Sequence, residues 1–120
     1  MMLPLLIVAM QASAVTPPAE WQTLPRLPLR EAREQAPQIP DFVRDEVREG
    51  RCVLRDDMTM LDLAVLVSTQ GQVRRIVPRA IGCPTVEQFA AGTVLRAARG
   101  NIIPPAVDTW FRWTVPLPRP

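Results

Sequence analysis

Between residues 60 and 116 the apolar side chains recur first at every second position, then at the ~3.6-residue helical period, then at every second position again. Met60 to Ser68 (MLDLAVLVS) places Leu61, Leu63, Val65 and Val67 on one face of a strand. Its other face carries Asp62, Ala64 and Leu66, and is only partly polar. Thr69-Gln70-Gly71 supplies a hairpin turn with glycine where a positive φ is wanted, and Gln72 to Arg79 returns as a second strand. Val86, Phe89, Ala90, Thr93, Val94 and Ala97 then fall along one stripe of a helix. A last strand, Thr109 to Pro116 (TWFRWTVP), turns Trp110, Arg112 and Thr114 one way and Phe111, Trp113 and Val115 the other.

The long helix carries its own boundaries. Thr85 and Gln88 have capping-box spacing, Glu87 lies in the first turn, Gly100-Asn101 reads as a left-handed cap, and Pro104-Pro105 prevents continuation. Gly92 in its middle costs about 1 kcal/mol against alanine; either a close approach of helix to sheet offsets this or the glycine is a tolerated defect. Upstream, DFVRDEVREG predicts a short helix capped by Asp41 and ended by Gly50, with Phe42, Val43 and Val47 on a narrow apolar face. A short strand is expected at Arg51 to Arg55, followed by a turn at Asp56-Asp57.

The segment 15–40 lacks such periodicity. It contains Pro17, Pro18, Pro25, Pro28, Pro37 and Pro40 with apolar residues placed singly, so it reads as an extended, polyproline-like linker. Within it, Leu29 to Ala36 could form two marginal helical turns. Residues 1–14 (MMLPLLIVAMQASA) combine a short apolar run with a small-x-small motif at Ala12-Ser13-Ala14, the pattern of a secretory signal peptide, although no Lys or Arg precedes the run. A protein exported to the periplasm is expected, with no stable membrane insertion after cleavage and one domain over residues 41–118.

Cysteine use agrees with export. Cys52 and Cys83 are the only two, and an even pair in an exported chain reads as a structural disulfide. Closing a loop of this size stabilises by about 3 to 4 kcal/mol on the chain-entropy model. The net charge is +2, with 14 basic residues, all arginine, scattered among 12 acids, so no basic patch argues for nucleic acid.

From about Pro37 to Leu117 the order of elements resembles the C-terminal domain of TonB-type energy transducers. Ile39-Pro40, then Arg44, then Glu49-Gly50 is similar to that family's opening, and LAVLVSTQGQVRRIVP to its central hairpin, with Gly71 and Val73 at the matching positions. Val86 to Arg99 resembles its long helix, and Ile103-Pro104-Pro105-Ala106 the element before its last strand. Ala80-Ile81-Gly82-Cys83 departs from the family's Ser-Ser-Gly. The resemblance implies an α+β, two-layer fold: a three-stranded antiparallel sheet with helices on one face, in a protein-interaction module that takes up a receptor peptide.

Candidate chemistry is sparse. The chain has no histidine, Ser68 is the one serine after residue 14, and no Gly-x-Ser-x-Gly occurs. Asp56, Asp57 and Asp62 are candidates for acid–base work, but nothing marks them beyond proximity, and a turn rich in aspartate is the plainer explanation. No catalytic residue, cofactor or metal site is therefore assigned. The last strand is expected at a sheet edge, where Trp110, Arg112 and Thr114 would contact an extended peptide added as a further strand. The expected partner is a protein or peptide of the cell envelope, such as an extended segment of an outer-membrane protein, and a homodimer is compatible with this reading. The alternative is a stand-alone secreted inhibitor or envelope stability factor with no transport role.

Overall fold

A computed structural model describes residues 16–31, 38–55 and 57–117, with backbone alone for 38–40. The expected signal peptide, Asp56, the prolines at 118 and 120, and most of the expected 29–36 helix lie outside the described residues; Leu29 itself is extended.

The first helix, α1 (Gln38–Arg48), begins three residues before the expected cap at Asp41. Pro40 is tolerated there because a first-turn N–H has no intrahelical acceptor anyway. The helix ends as expected at Gly50, whose φ is 75°. Gly50 N–H donates to Val47 O at 3.1 Å and Arg51 N–H to Glu46 O at 2.9 Å, the two bonds of a Schellman motif. The buried Glu46 and the exposed Glu49 both hold the Arg51 guanidinium. Their hydrogen bonds, Glu46 first, raise the Arg51 pKa, so the group stays cationic. The expected strand over 51–55 does not form, and that segment runs irregularly into the sheet.

Strands β1 (Met60–Val67), β2 (Val73–Pro78) and β3 (Thr109–Pro116) make an antiparallel sheet in the order β2-β1-β3. Register slips after Leu66, which pairs with Arg75 while Val67 pairs with Val73, leaving one extra residue on β2. At the hairpin tip, Ser68 Oγ accepts from the amides of Gln70 and Gln72, both at 3.2 Å. Gly71, at φ 77°, is required twice: a Cβ there would also lie 3.3 Å from Pro104 Cγ.

The second helix, α2 (Pro84–Ala98), starts one residue before the expected Thr85 cap. Cys83 occupies the cap position, Pro84 takes the first helical position, and Glu87 Oε2 accepts from the amides of Ile81 (2.9 Å) and Cys83 (3.2 Å). With the cap at Cys83 the capping-box position falls on Val86, and Glu87, one residue further on, does the work expected of Gln88. The disulfide Cys52–Cys83 forms, with Cα atoms 5.1 Å apart, and joins the chain after α1 to the start of α2.

Both helices lie on the face of the sheet formed by Leu61, Leu63, Val65, Val67, Phe111, Trp113 and Val115. Val86, Ala90, Val94 and Ala98 of α2 and Val43 of α1 complete the core. Phe42 stacks on Phe89 with ring centroids 4.2 Å apart. Each buried leucine, valine or phenylalanine side chain among them contributes about 1.5–3 kcal/mol.

The proline-rich segment differs most from expectation. Its described residues, 16–31, are extended apart from one 3-10 turn at Trp21–Thr23, and they are docked on the domain and form no free spacer. Trp21 and Leu27 are 7 % and 4 % exposed. Trp21 lies under the Arg79 guanidinium, 4.3 Å from ring centroid to Cζ. Ala64 and Leu66 of β1 are also buried, yet they and Trp21 stand outside the main core cluster. They belong to the opposite face of the sheet, which the segment from Trp21 covers. This strap then continues past β3 to the end of α2, where Arg30 N–H donates to Asn101 O and Ile103 N–H to Pro28 O. Buried Asn101 clamps it: its side chain accepts from Glu31 N–H and donates to Glu31 O, both at 2.9 Å.

Candidate interaction edges of the sheet

A three-stranded sheet has two edges, and the central β1 divides its hydrogen bonds between them by alternation. Arg79 N–H donates to Asp62 O, so the even-numbered positions of β1 bond to β2 and the odd ones to β3. On β3 this turns the backbone of Trp110, Arg112 and Thr114 outward. On β2 it turns out Ile76 and also Pro78, which has no N–H to offer.

At the β3 edge the structure brings together all three residues expected to contact a partner. They share the face that the strap crosses, and all are half-buried. Arg112 is the pivot. Its N–H donates to Pro25 O at 2.8 Å and its carbonyl accepts from Leu27 N–H at 3.1 Å, so the strap pairs with β3 through a single parallel bridge, Arg26 to Arg112. The Arg112 guanidinium donates to Gln22 Oε1 at 2.9 Å, and Thr114 Oγ1 to Asp62 Oδ1 at 2.8 Å. Phe111 and Trp113, on the other face of the strand, are core. Gln22, Pro25 and Leu27 are the residues that reading the sequence missed here, since singly placed apolar residues between prolines carry no period.

At the β2 edge no strand is added among the described residues. A groove of about 370 Å³ opens there instead, between β2 and α2. Its sheet wall is Val73, Arg74, Arg75 and Ile76. Its helix wall is Gln88, Ala91, Gly92 and Leu95, spaced at three, four and seven residues along one stripe adjacent to the core stripe. Gly92 gives this wall its low profile. A Cβ there would meet only Arg96 Nη1, at 3.7 Å, so close approach to the sheet is not what requires glycine. Both arginines are exposed, and neither has an acidic partner in any ion pair among the described residues.

The acids singled out in the sequence do not form a site among the described residues. Asp57 pairs with Arg55 on an exposed turn, Asp62 accepts from Thr114, and no group of three potential metal ligands occurs among the described residues. No described helix is long and apolar enough to cross a membrane. Comparison with known proteins finds no family model, no curated protein and no solved structure that matches this chain.

Proposed function

We propose that the protein is an interaction module of the cell envelope, of the TonB C-terminal type its motif order resembles, which takes up an extended peptide of an outer-membrane protein by strand addition to β3. The observation that supports this is the state of that edge. Arg112 already bonds an extended, proline-bearing segment through both of its backbone groups, so the geometry of β3 accepts an added parallel strand. An incoming peptide would replace Pro25–Leu27 and meet Trp110, Arg112 and Thr114. A disulfide between two buried cysteines fits an oxidising compartment such as the periplasm.

The self-covered edge also favours a second reading, a stand-alone inhibitor or stability factor of the envelope in which the strap is a permanent fourth strand. Titration of isotope-labelled protein with TonB-box-like peptides separates the two. Saturable shifts at Trp110 to Thr114, accompanied by loss of the Arg112–Pro25 hydrogen bond, are the expected result. An edge that stays paired to the strap at millimolar peptide rejects the first reading and leaves the second.

A further inference from the structure

We infer that the groove between β2 and α2 is a second binding site, whose ligand is an extended acidic peptide that adds to the outer edge of β2. Three independent features meet there. The Ile76 amide and carbonyl and the Pro78 carbonyl point away from β1 on a strand with no outer neighbour among the described residues. The opposite wall is a low apolar surface, with Ala91 and Gly92 in its middle and Leu95, 37 % exposed, at one end. Arg74 and Arg75, exposed and without acidic partners among the described residues, supply positive charge beside the edge.

The pleat then dictates the ligand. Side chains of an added strand alternate between the two faces of the sheet. On the helix side they would lie beside Ile76 and over Ala91 and Gly92, where there is room for a small or branched apolar group. On the other side they would lie beside Arg75, which pairs with Leu66 on the face opposite the core. The motif that fits is therefore a short alternation of acidic and apolar residues, with main-chain bonds supplying affinity and the arginines supplying selection by charge.

This site is distinct from the β3 edge, and each can fail alone because their amide footprints do not overlap. The probe is a blocked hexapeptide alternating Glu and Val, titrated into the labelled full chain. Shifts are expected at Ile76, Gly92 and Leu95 with none at Arg112. A Gln/Val peptide and the Arg74→Glu, Arg75→Glu variant should each weaken binding about tenfold, the size of a lost interfacial charge contact, and more at low salt. A Lys/Val peptide should recover binding to the charge-reversed variant. That swap keeps the test valid if Gly92→Phe, which would fill the groove, also perturbs folding. Binding indifferent to charge reversal, a footprint on β3, or self-association through β2 with no peptide bound would each overturn the inference.

Discussion

The two edges of this sheet differ in what the chain has done with them. At β3 the protein lays its own residues Pro25–Leu27 along the strand and fastens them on both sides, with Trp21 under Arg79 before the contact and Asn101 gripping Glu31 after it. At β2 no described residue covers the backbone of Ile76, and the approach is lined with arginine and a shallow helix stripe. An open edge invites association with any extended chain, and charged residues or proline are common ways to restrain it. Pro78 and the arginine pair fit that purpose on β2. The contrast shows that, among the described residues, one edge is closed by sequence-distant chain and the other is flanked by side chains alone.

The largest perturbation should ignore the contrast. Cys52 and Cys83 tie the loop before β1 to the start of α2, so Cys52→Ser with Cys83→Ser should lower stability by about 3 to 4 kcal/mol in denaturant titrations without favouring either edge. Trp21→Ala should cost about 3 kcal/mol and act on one edge only. Amide exchange at Arg112 should accelerate while exchange across the β1–β2 ladder follows global stability, and a peptide that competes for β3 should bind more tightly because less strap must be released. If Trp21→Ala leaves Arg112 protected, the strap is not held from that side. Asn101→Ala removes the clamp at the other end and should cost about 2 kcal/mol, read as a lower thermal midpoint with faster exchange at Ile103, whose N–H donates to Pro28. Smallest is Gly92→Ala, which adds only an ordinary contact with Arg96 and should stabilise by up to about 1 kcal/mol. A loss of stability there would mean that the helix wall beside β2 is more crowded than its geometry implies.

The main layer was legible because it is periodic. Alternation along Met60–Val67 and Thr109–Pro116, the stripe of α2, the positive-φ glycines at 50, 71 and 100 and the cysteine pair each report a local rule that the final packing obeys. Helix starts were less legible, since Pro40 and Pro84 can each occupy a first turn and so move it ahead of the more obvious cap. The strap was not legible. Trp21 and Leu27 are single anchors six residues apart with no repeat between them, and their partners lie up to 85 positions away, as Arg112 does from Leu27. One trace of the strap was present: Ala64 and Leu66, on the face of β1 that should have met water, are apolar and end up buried. The edge position of the last strand was anticipated and holds, but the sequence did not show that β2 forms the other edge or that the strap covers only β3, because both depend on tertiary contacts.

The disulfide described above has a topological meaning. Cys52 and Cys83 close a covalent ring that contains the whole β1–β2 hairpin, with its exposed tip at Thr69-Gln70. A protease that cuts at this tip would produce two polypeptides still joined by sulfur and still paired along β1 and β2. Such a nicked molecule would keep its shape and migrate as a single species until thiol is added. The exposed hairpin tip is accordingly a position at which the chain can be cut without separating its two halves.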